Sequence, residues 1–310
     1  MTGHKERILI FGAGVIGGTY AISFIEAGYE VTMLARGERL QTLREKGLQF
    51  NKKGETKTVT IQVIEKLEVS DVYDFIFVPV KYEQAESALW ALKDNQSKNI
   101  VTLINNPSGY EKWEQILGTG RLLPGFPSAG GEIKNGILHS QYGPKLIQKT
   151  MFGEIDGQDS ERVRKLAQLF RNANIAYSIS DDMDAMQKTH VALVAALSKD
   201  MYAENGLKTQ AEVITATSIE QIAWTMKNYL TALERSGVAI NPSKMKMLQR
   251  MPVGLLRFLL KRILTSKIAT DVLFSDHAVN MSAEVESMNQ DLLLFFAEHD
   301  ISAPAWNTKL

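Results

Sequence analysis

A glycine-rich turn near the N-terminus constrains this chain more than any other feature. Residues 7–11 (RILIF) form a short apolar run, and the sequence GAGVIG follows it directly. Where such a turn joins a buried strand to a helix, the first glycine permits the tight turn, the second lets a pyrophosphate approach the backbone, and the third lets the helix pack on the strand. Because the start of that helix offers free amide groups to the phosphates, we predict a dinucleotide site rather than a merely structural turn. Its residues are Gly12, Ala13, Gly14, Val15, Ile16 and Gly17.

The first half of the chain alternates short apolar runs with stretches of helical spacing. Strands are expected at 30–35, 58–63, 74–80, 99–104 and 176–179, and helices at 14–27, 39–46, 83–92 and 161–172. Alternation of this kind is typical of a doubly wound, mostly parallel sheet. Two further short strands, 136–140 and 149–153, are expected to extend the edge of that sheet.

After Asp181 the pattern is almost wholly helical. The helical segments are 183–205, 218–236, 242–264 and 282–299. A chain of 310 residues is long enough for two domains. We therefore predict an α/β fold with a Rossmann-type dinucleotide domain at 1–180 and an all-helical substrate or oligomerisation domain at 181–310.

Composition excludes several classes of function. The 35 basic residues balance the 35 acidic residues, so we expect no nucleic-acid partner. The chain has no cysteine, which removes disulfides, cysteine-bound zinc, iron–sulfur clusters and a thiol nucleophile. The five histidines are scattered without zinc-like spacing, so no metal site is expected. We see neither a signal peptide nor an apolar run long enough to span a membrane, and we expect a cytoplasmic protein without a membrane partner.

The end of the second predicted strand bears on which dinucleotide binds. Sites that prefer NAD usually place an acidic residue there, about 20 residues beyond the glycines, to hold the ribose 2′-hydroxyl. Here Ala35 and Arg36 stand in that place. Arg36 is positioned to pair with a 2′-phosphate, although a solvated loop arginine is the alternative. We predict NADP(H) as the cofactor, and expect Arg36→Asp to weaken NADPH binding much more than NADH binding.

Five stretches of the chain share one family pattern: the glycine turn with residues 31–48, then 80–89 (VKYEQAESAL), 103–109 (LINNPSG), 125–157 and 186–188. Together they resemble the ketopantoate (2-dehydropantoate) reductase family, within the 6-phosphogluconate-dehydrogenase-like two-domain reductases. The resemblance implies a Rossmann-type domain followed by a helical domain, and hydride transfer from NADPH to the keto carbon of a 2-oxo acid. It implies a place in pantothenate biosynthesis, and a homodimer is compatible with it.

The resemblance also assigns roles to individual residues. Lys188 would be the general acid or oxyanion stabiliser, because hydride addition develops negative charge on the carbonyl oxygen. Lys81 and Gln84 would contact the cofactor, and Asn106 would contact the cofactor or the substrate. The alternatives are a helix-surface lysine at Lys188, and a solvated or turn-stabilising role at Lys81 and Asn106.

A glutamate on a late helix of the family holds a substrate hydroxyl, and the stretch AEVESMN (283–289) places it at Glu284. The preceding Ser-Ser-Met-x-x-Asp pattern of the family is replaced by FSDHAVN, which makes His277 the competitor. A solvated helix residue is the alternative for Glu284.

Three positions depart from the family pattern. Ala192 and Ala196 stand where the lysine helix of the family carries asparagines, and Pro107 replaces the glycine of the asparagine turn. On a helix, Ala192 and Ala196 share a face with Lys188, so we predict a small, apolar substrate wall there. The substrate would then be a bulkier or less polar 2-oxo acid than ketopantoate, and Ala192→Asn should raise ketopantoate turnover. The alternatives are a nucleotide-binding sensor without catalysis, or a related reductase with a larger keto or imine substrate.

Overall fold

The structure is a computed structural model that describes residues 6–145, 148–203, 206–207, 209–266 and 282–302. It divides into two compact units. The first comprises residues 1–104 and 110–183, and the second comprises residues 105–109 and 184–310. The short segment 105–109 therefore belongs with the C-terminal residues, although a strand and a helix of the first unit flank it in the sequence.

The first unit is built on an eight-stranded sheet. In spatial order its strands are β12 (Tyr177–Ile179), β11 (Thr150–Phe152), β8 (Leu122–Phe126), β7 (Ile100–Leu103), β6 (Phe75–Val78), β1 (Arg7–Phe11), β2 (Glu30–Leu34) and β5 (Gln62–Ile64). All neighbouring strands run parallel except β8 and β11. Its helices are α1 (Val15–Glu26), α2 (Gly37–Lys46), α3 (Ala85–Leu92), α4 (Glu111–Leu117) and α5 (Glu161–Asn172).

A second, four-stranded sheet corrects two expectations. Its order is β4 (Glu55–Val59), β3 (Leu48–Lys52), β10 (Ile137–Tyr142) and β9 (Ala129–Lys134). Residues 58–63 are not one strand, because β4 lies in this small sheet and β5 in the large one. Residues 136–140 do not extend the large sheet either. Asn135 and Gly136 both adopt positive φ, +53° and +80°, which is the two-residue turn that pairs β9 with β10 as a local hairpin.

The core of the first unit explains why its central strands form. Strands β1 and β6 are buried along almost their whole length, as expected for a parallel sheet covered on both faces. Strand β6 ends at Val78, two residues before the predicted end, because Pro79 has no N–H to donate to the ladder. Phe24, Phe77 and Phe170 are fully buried and lie within 6.1 Å of one another, centroid to centroid.

The second unit is mainly helical in its described residues. Its elements are α6 (Met183–Met201, which begins one residue before the unit), β13 (Tyr202–Ala203), β14 (Gly206–Leu207), α7 (Gln210–Val213), α8 (Ala216–Arg235), α9 (Lys246–Arg250), α10 (Val253–Leu264) and α11 (Ser282–Glu298). The predicted helix 242–264 is broken, because Pro252 cannot continue α9 and instead precedes α10. The core joins α6, α8 and α10 through Ala196, Met226 and Leu260. Within the described ranges, every helix is too short or too polar to cross a bilayer.

Candidate functional site

Backbone packing shapes the glycine turn after β1. Gly12 has φ of +140°, a conformation that side chains rarely adopt. A Cβ at Gly17 would lie 2.1 Å from the carbonyl oxygen of Gly12 and 2.9 Å from Cγ2 of Ile10, so only glycine fits between helix and strand. At Gly14, by contrast, a Cβ would meet nothing within 4 Å. Two of the glycines are therefore required by the fold, whereas Gly14 leaves open space for a ligand.

The start of α1 is suited to an anion. Gly14 occupies the N-cap position without a side-chain cap, and the first turn holds no acidic residue. Ala13, Val15 and Ile16 are partly exposed, so the turn is accessible. The first amide groups of a helix have no partner within the helix, and the helix dipole adds positive potential there. The turn can therefore receive a phosphate or pyrophosphate through its backbone amides.

The segment after β2 carries two arginines with different surroundings. Arg36 is exposed, follows the buried Ala35, and forms no ion pair with any residue that the structure describes. Arg39, one turn further on, reaches back to the glycine turn, with Nε 3.2 Å from the carbonyl oxygen of Ala13. Sequence reasoning had not singled out Arg39, because its partners are carbonyl groups, which leave no mark in the sequence. Arg36 thus stays available to a ligand phosphate.

Lys81 and Gln84 lie near the glycine turn because β6 is the neighbour of β1. Both side chains are exposed on a short 3₁₀ helix, Tyr82–Gln84, and its approach. A Cβ at Gly12 would be 3.5 Å from Cγ1 of Val80, which shows that the two strand ends meet. This edge of a doubly wound sheet is where such folds bind ligands. The arrangement is compatible with the predicted cofactor contacts.

The asparagine turn after β7 satisfies its own polar groups. Asn106 is buried, its Nδ2 donates to the carbonyl oxygen of Gly109 at 2.6 Å, and its Oδ1 accepts from the amide of Ser108 at 3.0 Å. Its own backbone amide donates to Oε1 of Gln187 on the lysine helix. The side chain of Asn106 therefore holds the turn together, and its backbone amide ties the turn to α6. Direct contact with substrate or cofactor stays a prediction.

The neighbouring Asn105 shows the opposite pattern and escaped the sequence reasoning. Its Oδ1 is buried and accepts no hydrogen bond from the described residues. A buried acceptor without a donor costs free energy, which a ligand with an N–H or O–H group would recover. The signal in the sequence was weak, because two consecutive asparagines do not reveal which one closes the turn.

Lys188 is a buried ammonium on α6. Its Nζ contacts Oδ1 of Asp184, one helical turn earlier, and lies 4.8 Å from the centroid of the Phe295 ring on α11. The lysine side chain is 4% exposed, whereas that of Asp184 is 40% exposed. Among the described residues Asp184 is the one hydrogen-bond acceptor for this ammonium. An ammonium has three donors, so Lys188 can still donate to a developing oxyanion.

The histidine near this lysine carries no charge at neutral pH. Burial lowers the pKa of His190 to about 4. Lys188 is thus not repelled by a cationic neighbour on its own helix. The described residues contain no group of three or more histidines and carboxylates that could hold a metal ion.

The remaining predicted substrate residues are placed as follows. Ala192 and Ala196 are both fully buried, and the methyl group of Ala196 belongs to the core that α6 shares with α8 and α10. Glu284 lies in the first turn of α11 and is partly buried. His277, its competitor, lies outside the described residues. The structure therefore brings Asn106 and Lys188 into one unit, while the roles of Ala192, Ala196 and Glu284 stay predictions.

Solved structures share this fold. The crystal structure of 2-dehydropantoate 2-reductase from Geobacter metallireducens superposes with a TM-score of 0.74, at 17% identity, over 96% of this chain and 95% of that one. A complex of D-mandelate dehydrogenase with NADH superposes with a TM-score of 0.69, at 14% identity, over 96% and 94% of the two chains. These likenesses confirm the predicted fold class, a Rossmann-type sheet followed by a helical region.

Sequence comparisons point to one family. The 2-dehydropantoate 2-reductase of Mesorhizobium japonicum is 24% identical over 57% of this chain and 60% of the relative. That of Archaeoglobus fulgidus is 27% identical over 58% of each chain. The matches thus span less than two thirds of the length of these relatives. Residues 8–156, just under half of the chain, match the family model described as ketopantoate reductase PanE/ApbA, so this part of the chain is a divergent ketopantoate reductase domain.

Proposed function

We propose that the protein is an NADPH-dependent reductase that converts a 2-oxo acid into the 2-hydroxy acid, of the ketopantoate-to-pantoate type. The observation that carries this proposal is the buried, incompletely hydrogen-bonded ammonium of Lys188 in a chain with a domain of this reductase family. The 2-dehydropantoate 2-reductases among its relatives and the NADH-bound D-mandelate dehydrogenase among its structural neighbours support the same reaction class.

The cofactor would be held by the first unit. The open space at Gly14 and the uncapped start of α1 fit the pyrophosphate, and the exposed Arg36 fits a 2′-phosphate. Since no carboxylate stands beside Arg36 on the β2 side, nothing there would repel that phosphate. Lys81 and Gln84 would contact the remaining part of the cofactor. When bound, the reduced nicotinamide supplies the hydride.

Lys188 would serve the carbonyl oxygen of the substrate. As the C=O bond is reduced, negative charge develops on that oxygen, and a positioned ammonium both stabilises the charge and supplies the proton. Asp184 keeps Nζ in place through one contact, which leaves the other donors for the substrate. After proton transfer the lysine regains a proton from water. Asn106 would act through the shape of its turn, and Glu284 would accept a substrate hydroxyl group.

The test is NADPH oxidation by the purified protein, followed by absorbance, with ketopantoate and a panel of other 2-oxo acids. We expect turnover with at least one acid, and a loss of about 10²- to 10⁴-fold in Lys188→Ala with NADPH binding retained, the range typical of a general acid. We expect Arg36→Asp to weaken NADPH much more than NADH. Equal weakening of both cofactors would contradict the assignment of NADPH.

A second candidate is a nucleotide sensor without catalysis, which the two alanines on the lysine helix favour. Ala192 and Ala196 are fully buried and offer no amide to a substrate. The sensor would bind NADPH but oxidise none of it with any acid in the panel. Lys188→Ala would change its affinity for NADPH little. A reductase for a larger keto or imine substrate would likewise oxidise no NADPH with small acids. It would oxidise NADPH when the panel includes larger substrates.

A further inference from the structure

We propose that Arg39 is a positioning residue of the cofactor site, which fixes the glycine turn through the carbonyl group of Ala13. The inference rests on the proposed function, because it concerns the dinucleotide that this turn would hold. Arg39 acts through the backbone and is distinct from Arg36, which we assign to the 2′-phosphate.

The guanidinium of Arg39 joins two segments that are far apart in the sequence. Its Nε donates to the carbonyl oxygen of Ala13 at 3.2 Å, and its Nη1 donates to the carbonyl oxygen of Gly136 at 3.1 Å. Gly136 belongs to the tight turn between β9 and β10. Helix α2 holds the arginine in place, since Leu40 and Leu43 are buried in the core of the unit. The glycine turn is therefore braced against the hairpin from one side.

Because a peptide unit is planar, the hydrogen bond from Arg39 to the carbonyl of Ala13 also fixes the direction of the next amide group. The carbonyl of Ala13 and the amide of Gly14 belong to one peptide unit, which is planar and trans. Because Arg39 holds the carbonyl oxygen, the N–H of Gly14 must point to the opposite side. Gly14 is the N-cap of α1 and the glycine with open space around it. Arg39 thus presets the direction of an amide that a pyrophosphate would use.

The charge of Arg39 supports the same role. Burial lowers the pKa of Arg39 from its ordinary value, and it forms no ion pair with the described residues. Its Nη2 is buried and has no hydrogen-bond partner among them. An arginine on a surface helix can normally extend its charged group into water. Here the group stays beside the glycine turn, where a cation also attracts an anionic ligand.

Loss of Arg39 and loss of Arg36 are expected to affect cofactor affinity in different ways. NADPH and NADH share the pyrophosphate and differ in the 2′-phosphate. Loss of Arg39 should therefore weaken both cofactors by the same factor, about 10- to 100-fold for the loss of charged hydrogen bonds that orient the turn. Loss of Arg36 should change the ratio of the two affinities.

The experiment measures dissociation constants for NADPH and NADH on the full chain, with the thermal midpoint as a check on folding. The variants are Arg39→Ala, Arg39→Lys and Arg36→Ala, and Arg44→Ala on the exposed side of the same helix is the matched control. Arg39→Ala should raise both constants equally, with kcat at saturating NADPH within about threefold of wild type. Arg39→Lys should do so more weakly, because one ammonium matches two differently placed carbonyls less well than the planar guanidinium.

Three results would separate the possible failures. Unchanged constants in both Arg39 variants would overturn the positioning role. A loss confined to NADPH would also overturn it, because it would make Arg39 a ligand of the 2′-phosphate. A wild-type protein that binds neither cofactor would instead refute the proposed function. If Arg39→Ala proves too unstable to measure, the equal shift expected in the charge-retaining Arg39→Lys decides.

Discussion

Two cations, the partly buried Arg162 of the first unit and the buried Lys188 of the second, have very different partners. Arg162 pairs with Glu154 through two nitrogens, with Nε 2.7 Å from Oε1, and also donates to the carbonyl oxygens of Gly120 and Leu122. Ser160 donates to the same carboxylate. Lys188 has one carboxylate contact, to Asp184, and the face of an aromatic ring.

The two cations differ in how many of their N–H donors have no acceptor among the described residues. Every nitrogen of the Arg162 guanidinium has an acceptor, and the carboxylate of Glu154 is 10% exposed. Such a pair ties β8 and the segment after β11 to the first turn of α5, and it leaves no donor for a ligand. The ammonium of Lys188 keeps unused donors, and its partner Asp184 is open to water. We therefore expect the saturated pair to be structural, whereas the unused donors of Lys188 fit its proposed role at the substrate.

The largest effect is expected from Lys188→Arg. The guanidinium keeps the positive charge and can still pair with Asp184, but it does not release a proton at physiological pH. We expect turnover to fall by about 10²- to 10⁴-fold with NADPH affinity unchanged. The matched control is Lys165→Arg, since Lys165 forms an exposed pair with Glu161 at the same helical spacing. Near-normal turnover in Lys188→Arg would mean that charge alone suffices.

The reciprocal change, Arg162→Lys, should affect stability instead. A lysine cannot supply the bidentate contact and both carbonyl contacts, so groups now satisfied would be left buried without partners. We expect the free energy of unfolding to fall by about 2–3 kcal/mol. The change in kcat/KM should be small, and urea unfolding measures the stability. Arg164→Lys, at an exposed pair with Asp159, is the control. A loss of activity without a loss of stability would refute the structural assignment.

Asp184→Asn tests whether the lysine needs its carboxylate. Asp184 is partly exposed, so water can replace part of the lost contact. We expect kcat to fall by about tenfold, equivalent to roughly 1.4 kcal/mol, because the ammonium is less well positioned. Glu161→Gln is the control at the exposed pair. A fall in stability with unchanged kcat would make Asp184 a structural partner only.

The smallest effect is expected in the pH dependence of the folding stability that the Arg162–Glu154 pair contributes. Burial alone would raise the pKa of Glu154, but hydrogen bonds from Arg162 and Ser160 outweigh burial, and the net pKa is below the ordinary value of 4.5. A carboxyl group with a lowered pKa in the folded state contributes its stability above the unfolded value and loses it as the pH falls. The stability difference between wild type and Glu154→Gln should therefore be constant near neutrality and shrink below a pH of about 4.5. A difference that persists in acid would contradict this, and thermal unfolding across pH measures it.

Much of the first unit could be predicted because its signals are local. The glycines at 12, 14 and 17 have separate requirements that neighbouring residues reveal. In the second unit the family resemblance singled out Lys188, whose role stays a prediction. Arg39 could not be predicted, because its carbonyl acceptors lie 26 and 97 residues away. The saturation of Asn106 was equally hidden, since it depends on the backbone of Ser108 and Gly109 rather than on their identities.

The second unit was less predictable for a physical reason. Helical spacing in the sequence shows which residues share an apolar face. It does not show which residues of that face pack in the interior. The helix predicted at 242–264 is interrupted at Pro252, and Ala196 packs in the core that α6 shares with α8 and α10. Helical spacing alone predicts neither result, because Pro252 cannot continue α9 and because the packing of Ala196 depends on α8 and α10.

The uncapped start of α1 has a consequence for how long the protein survives in a cell. A helix normally gains stability from a side chain that accepts hydrogen bonds from its first amides, and here Gly14 supplies none. The cofactor phosphates would complete the helix, so that the dinucleotide would act as its cap. Ligand at 100 times its dissociation constant adds about 2.7 kcal/mol to folding stability. The lifetime of the protein against proteolysis would then follow the size of the cellular nicotinamide pool.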